Sequence, residues 1–287
     1  MCSVNQLGLH AAVWVGDWSA DSARKAIEST ARAGYDLIEI PIPDPAAIDT
    51  ARTARLLADN GLAAGCSLGL RWDADISSTD PDIVRGGRQL LASALDTTVR
   101  LGGDYLGGVL FSTLGKYPAP LTELGRANVV RELAGLAGDA ADAGVTIGLE
   151  VVNRYESNVL NTAEQALELI ADIGADNVVV HLDSYHMNIE EADFATPVAS
   201  CGDRLGYVHI GESHRGYLGT GTIDFGQLFG ALAAQGYGGP ITFESFSSAV
   251  VHPELSNNLA VWRNLWEDSA DLAAHAKAFL DRQLAAG

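Results

Sequence analysis

The amino-acid sequence predicts an α/β protein folded as a single (β/α)8 TIM barrel, and three observations carry that prediction. Short apolar runs alternate with longer amphipathic segments about eight times along the chain, the rhythm of a parallel sheet with helices outside it. Glycines close several of the amphipathic segments just before the next apolar run, at Gly34, Gly61, Gly102, Gly144, Gly174 and Gly236, as helix C-termini favour. An open doubly wound sheet that binds nucleotides carries a glycine-rich loop after its first strand. Here that position reads Trp14-Val15-Gly16-Asp17-Trp18, which is bulky and lacks the fingerprint.

Taken in order, the strands are expected at Leu7–Val13, Tyr35–Ile40, Leu62–Ser67, Asp104–Phe111, Val145–Val151, Asn177–Asp183, Leu205–Ile210 and Pro240–Glu244. The segments between them space their apolar residues by three and four, as in Ala166, Leu167, Leu169, Ile170 and Ile173, which predicts helices. Asp44-Pro45 and Asp80-Pro81 each set a capping aspartate before a first-turn proline. Thr162 with Gln165, and Asp224 with Gln227, read as capping boxes. Gly219-Thr220-Gly221 follows the seventh strand alone and reads as a turn. No linker or low-complexity stretch interrupts the chain, so residues 1–287 are expected to form one domain. Its C-terminal part, about 255–284, reads as a long helical segment with an apolar stripe of Leu255, Leu259, Trp262, Leu265 and Trp266. Most of that stripe is expected to close the barrel, and part of it to serve a subunit contact.

Composition narrows the function. With 47% apolar and 19% charged residues, the chain has the make-up of a globular protein. A net charge of -19, from 37 acidic against 18 basic side chains, repels phosphate backbones and anionic lipid heads, which argues against nucleic-acid and membrane partners. The acidity otherwise serves solubility. Cys2, Cys66 and Cys201 are odd in number and far apart, so neither a disulfide framework nor a zinc knuckle is signalled. The first basic residue, Arg24, follows the apolar run Leu7–Gly16, the wrong order for a signal peptide. No apolar stretch approaches the roughly 18 residues of a membrane span. A cytoplasmic location is expected.

Catalytic groups of a barrel project from the C-terminal ends of its strands. The last four expected strands end, or nearly end, in metal-competent side chains: Glu150, Asp183, His209 and Glu244. One such residue serves equally well as a cap for the following helix. Four in succession, in a chain with 37 acidic residues and 7 histidines among 287, fit a metal centre better. Three carboxylates and one imidazole make a hard, oxygen-rich set that suits Mn2+, Mg2+ or Co2+. The fifth and eighth strands lie three steps apart in a ring of eight, roughly 135° around the axis. Glu150 and Glu244 are therefore expected to approach from opposing sides, with Asp183 and His209 between them. Two carboxylates on opposite faces of one carbon can remove a proton from one side and return it from the other. That inverts a carbon next to a carbonyl, while the cation stabilises the enediolate. Glu39, near the end of the second strand, is a candidate to orient one of these side chains, such as His209, although nothing local fixes its direction.

These residues resemble the ketose 3-epimerases, the family of D-tagatose, D-allulose (psicose) and L-ribulose 3-epimerases within the xylose isomerase-like barrels. The resemblance covers nearly the whole chain and is sharpest over Glu150-Val151-Val152-Asn153-Arg154-Tyr155-Glu156, over residues 182–191 (LDSYHMNIEE), and over His209-Ile210-Gly211-Glu212-Ser213-His214-Arg215. It implies that Glu150, Asp183, His209 and Glu244 bind one divalent ion per subunit, Mn2+ first with Co2+ or Mg2+ as alternatives. Glu150 and Glu244 would then exchange the proton at C3 of a free ketose. It further implies that Glu156, His186 and Arg215 bind the first sugar oxygens, and that the protein is a homodimer or homotetramer. Trp14, Trp18, Cys66, Leu110 and Phe111 are expected to wall the sugar's carbon face, with core filling an equal role for Leu110 and Phe111. His10 departs from the tyrosine or phenylalanine of many family members at a position that touches the distal end of the ketose. Broad ketose tolerance is therefore expected, with D-fructose to D-allulose conversion among the activities.

An aldose–ketose or hydroxypyruvate isomerase, or a sugar or inosose dehydratase, remains open on the same barrel. An abasic-site endonuclease needs three zinc ions and more than the 7 histidines present. A non-catalytic sugar-binding protein has no need of two opposed glutamates.

Overall fold

The computed structural model describes residues 5–286; Cys2 lies outside them. Eight strands, β1 (Leu7–His10), β2 (Leu37–Pro41), β3 (Ala63–Ser67), β4 (Tyr105–Gly107), β5 (Thr146–Glu150), β6 (Val178–Asp183), β7 (Leu205–Ile210) and β8 (Ile241–Phe243), pair in parallel. They follow chain order, and β8 returns to β1, so the sheet closes. Outside it run α1 (Ala20–Arg32), α2 (Thr50–Asn60), α3 (Pro81–Leu101), α4 (Glu123–Asp142), α5 (Ala163–Ile173), α6 (Ser184–Glu190), α7 (Ala195–Cys201) and α8 (Phe225–Gln235). The expected (β/α)8 barrel is the observed one.

The local signals work as their chemistry requires. All six helix-closing glycines take positive φ, between 66° and 80°. Asp80 caps α3 through Asp82 N–H, and Thr162 and Gln165 form both halves of the box at the start of α5. Asp224 accepts the Gln227 N–H, but the Gln227 carboxamide accepts Phe194 N–H at 2.6 Å instead of reaching back, so only half of that box exists. Asp44 caps nothing: Pro45–Ala47 is a single 3-10 turn, the chain is extended again at Ile48, and Asp49 caps α2.

Two strands, β1 and β4, stop three and four residues earlier than expected, and β5 and β8 stop one residue earlier. After His10 the chain tightens into a 3-10 turn at Ala11–Val13, because the His10 ring accepts Ala12 N–H and caps it. β4 ends at Gly107, because Gly108 has φ 103°; an added Cβ there would lie 2.5 Å from Leu68 O. The C-terminal stretch is also divided. Pro253–Asn258 forms α9 and Ser269–Ala286 forms α10. Residues 259–268 carry no helix, since Ala260 takes φ 54°, outside the right-handed helical region. In that stretch Trp266 is buried while Trp262 is 75% exposed.

Side chains alternate across each strand, and two inward tiers result. In the lower tier Tyr105 stacks on Tyr207 with centroids 4.2 Å apart. Gly148 makes room for this pair, since a Cβ there would lie 1.9 Å from the Tyr105 hydroxyl. One step up each strand, the inward positions are His10, Glu39, Ser67, Glu150, Asp183 and His209, with Glu244 just past β8. This upper tier is the floor of the barrel mouth.

Candidate active site and metal centre

Glu150, Asp183, His209 and Glu244 each bring a ligand atom within 4.8 Å of all the others, and all four are buried. β5 to β8 place them, and the parallel register keeps them level: Asp183 pairs with His209, and His209 with Thr242 two residues before Glu244. His209 Nδ1 lies 3.3 Å from Glu150 Oε1 and 3.7 Å from Glu244 Oε1. Asp183 serves two ends at once. Its Oδ1 accepts Tyr185 N–H at 2.7 Å and caps α6, while Oδ2 faces Arg215 at 3.3 Å and His186 at 3.6 Å.

Glu39 does what the sequence suggested. Its Oε2 sits 2.7 Å from His209 Nε2, with both side chains 1% exposed. A carboxylate accepts, so the ring carries hydrogen on Nε2 and turns the Nδ1 lone pair into the cluster. That buried Nδ1 has no hydrogen-bond partner. An orphaned nitrogen among three carboxylate groups fits a divalent cation, and the donor set of one nitrogen and three carboxylates suits a hard or borderline ion.

The cluster's charge is strained by burial. Desolvation lifts Glu150 to about 7 and Asp183 to about 6. Burial also works to raise Glu244, but Arg215 and His209 overcome it and hold this carboxyl below its ordinary value. Burial likewise opposes charge on His209, yet Glu39 and Glu244 raise its pKa well above the usual imidazole range. Nδ1 therefore tends to bind a second proton, and a cation at this point would take that proton's place.

Three further side chains close the mouth. Arg215 sets Nη1 2.5 Å from Glu244 Oε2 and lays its guanidinium on Tyr185, 3.9 Å from the ring centroid. His186 accepts Asn153 N–H on Nδ1 at 3.1 Å. Backbone N–H can only donate, so the neutral ring presents Nε2–H to the mouth, 3.9 Å from both Glu150 and Glu156. Burial, then Arg215, keep His186 uncharged. Burial raises Glu156 to about 7, and Asn153 Nδ2 donates to it at 2.9 Å.

Comparison with known proteins agrees with this geometry. A family model described as xylose isomerase-like TIM barrel matches residues 27–281. The L-ribulose 3-epimerase of Methylomonas sp. (strain DH-1) is 55% identical over 97% of each chain. The ketose 3-epimerase of Arthrobacter globiformis is 48% identical over 98% of this chain and 97% of its own. The chain belongs to the ketose 3-epimerase family of xylose isomerase-like barrels. Among solved structures, the D-allulose 3-epimerase from Methylomonas sp. in complex with D-allulose superimposes with a TM-score of 0.96 at 54% identity, covering 98% of each chain.

Within this family member, not every expected wall residue faces the mouth. Cys66 does not: it lies between the inward positions Gly65 and Ser67, so strand alternation turns it outward to Thr98 of α3. Ser67 stands in its place, with Oγ 3.5 Å from His10 Nε2. Trp14 also turns away, because its indole N–H donates to Thr30 of α1 at 3.0 Å and its carbonyl accepts from Lys25. Trp18 donates to Thr53 of α2, and Leu110 and Phe111 are wholly buried in the core. His10 does reach the site, 3.9 Å from Glu244 Oε1 and edge-on to Phe246. Asn153, Tyr185, Phe246 and Ser67 were not singled out in the sequence. The first two lie inside the family motifs. The last two follow inward positions at a spacing of two, which was the available signal.

Proposed function

We propose that this chain epimerises free ketoses at C3, with Glu150 and Glu244 moving the proton. The observation that carries this reading is the convergence of Glu150 Oε1 and Glu244 Oε1 on one nitrogen, His209 Nδ1, at 3.3 and 3.7 Å, from strands three steps apart in the ring. A divalent ion, Mn2+ first with Co2+ or Mg2+ as alternatives, would be held by Glu150, Asp183, His209 and Glu244 and would supply positive charge to two adjacent sugar oxygens.

The two glutamates are tuned apart. Burial lifts Glu150 to about 7 while Glu244 is held below its ordinary value. Near neutral pH one carboxyl can carry a proton while the other acts as base. Removal from one face of C3 and return to the other passes through a planar cis-enediolate, and the configuration inverts. His186 offers Nε2–H, Arg215 its guanidinium and Glu156 its carboxyl to the first oxygens of the sugar. His10 faces the distal carbons, where a ring nitrogen tolerates hydroxyl groups of either configuration, consistent with D-fructose, D-tagatose and L-ribulose as substrates. The protein is read as a cytoplasmic homodimer or homotetramer. Two large side chains of the non-helical stretch, Trp262 at 75% and Leu265 at 38% exposure, are available for the subunit contact.

The test is incubation of metal-loaded protein with D-fructose in heavy water. Deuterium at C3 together with D-allulose supports the reading. Label confined to C1 marks aldose–ketose isomerisation instead, and turnover only of phosphorylated sugars rejects a free-ketose enzyme.

A further inference from the structure

Arg215 has φ 59°, one of two non-glycine residues with positive φ among those described. An L-side chain takes this left-handed conformation only when its surroundings impose it. Here they hold the residue at both ends. Its N–H donates to Glu212 C=O at 2.8 Å, and its C=O accepts the Ser245 hydroxyl at 2.6 Å. A carbonyl can only accept, so the single Ser245 proton is committed to Arg215. The same Oγ then accepts the Trp266 indole N–H at 2.8 Å. Trp266 is fixed in turn through its own carbonyl, which accepts Ser247 Oγ at 3.0 Å. Ser245 and Trp266 are both buried, so the chain of donors meets no competing water and its bonds reinforce one another.

We propose that Trp266, acting through Ser245, holds Arg215 in the left-handed conformation that aims its guanidinium at Asp183 and Glu244, and that both are positioning residues for ketose binding. The kinetic consequence rests on the epimerase reading above; the conformational one does not. A tryptophan that merely filled the core would be indifferent to loss of its N–H. A tryptophan at the head of this relay is not.

Trp266→Phe keeps an aromatic ring and removes the donor, and Ser245→Ala breaks the same relay should the first variant fail to fold. A crystal structure of the variant is expected to show Arg215 out of the left-handed region. Its kcat/KM for D-fructose is expected to fall roughly fivefold, the scale of one neutral hydrogen bond, mostly through KM. Mn2+ affinity, measured by calorimetry, is not expected to fall: Arg215 is the member of the relay that touches the cluster, at Asp183 and Glu244, and withdrawing its positive charge removes a repulsion on the ion. In an Arg215→Ala background the substitution should add nothing, since its effect passes through Arg215. An unmoved Arg215 backbone overturns the proposal, as does a kinetic loss that persists undiminished without the Arg215 side chain. Wild-type protein that turns over no ketose would sink the epimerase reading alone, and the Arg215 backbone in the variant crystal would still decide the relay.

Discussion

Glu39 offers the sharpest test of how the metal centre is built, because it acts on the proposed ion only through His209. Its carboxylate is wholly buried and lies 2.7 Å from His209 Nε2. That bond fixes the ring's tautomer, and its negative charge makes Nδ1 a better donor. Glu39→Gln retains an oxygen that can accept the Nε2–H but loses the charge. Glu39→Ala loses both and leaves a buried N–H without a partner. Supporting partners of metal-bound histidines are worth about 10- to 100-fold in affinity, so the glutamine variant is expected near the lower figure and the alanine variant near the higher. In free energy these are about 1.4 and 2.7 kcal/mol. Calorimetric titration of Mn2+ into stripped protein measures both, with circular dichroism to show that the barrel is intact. Affinities within about twofold of the parent for both variants, or tighter binding by alanine than by glutamine, would refute the reasoning, because neither is compatible with a ligand oriented by Glu39.

Other perturbations reach different parts of the structure. Glu150→Gln and Glu244→Gln should each lower kcat on D-fructose by about a thousandfold or more, since each removes a proton-transfer group; near-normal turnover in either would exclude that residue from the proton relay. Burial pushes the Cys66 and Cys201 thiols up to about 12, so on the order of one molecule in ten thousand is thiolate at pH 8. Peptide-level mass spectrometry should find both unmodified by iodoacetamide in native protein and modified after denaturation. Cys66→Ser should accordingly leave KM unchanged, whereas a marked rise would return Cys66 to the sugar site. Gly148→Ala places a methyl group where the Tyr105 hydroxyl stands, 1.9 Å from an ideal Cβ. Urea denaturation should register a loss of about 1–3 kcal/mol or more, the cost of overpacking a filled interior.

The alternation of apolar runs and helical segments, the capping pairs Asp80-Pro81 and Thr162 with Gln165, and the closing glycines are local features, and the barrel was legible from them. So was the set Glu150, Asp183, His209 and Glu244, because a barrel gathers whatever stands at consecutive strand ends, and a position at a strand end is a one-dimensional fact. Glu39 could be named as a support for one of these residues from its place near a strand end, but nothing local fixed its direction, and only the closed ring brings it to 2.7 Å from His209 Nε2.

Which way a side chain faces was a different matter. Cys66 and Ser67 are neighbours, and only the register of β3 against β2 and β4 decides that the serine looks inward; an error of one residue exchanges the faces. Trp14 was expected at the mouth, but a 3-10 turn follows β1 and carries the indole to Thr30 on α1. The left-handed backbone of Arg215 was least visible of all. It depends on Ser245 and Trp266, which reach it only after the sheet has closed and the C-terminal stretch has folded back over the barrel. The sequence by itself therefore determined the elements, their order and the chemistry available at the mouth. Tertiary structure alone decided the directions of the side chains and the strained backbone that aims one of them, because contacts between residues distant in the chain exist only once the ring is complete.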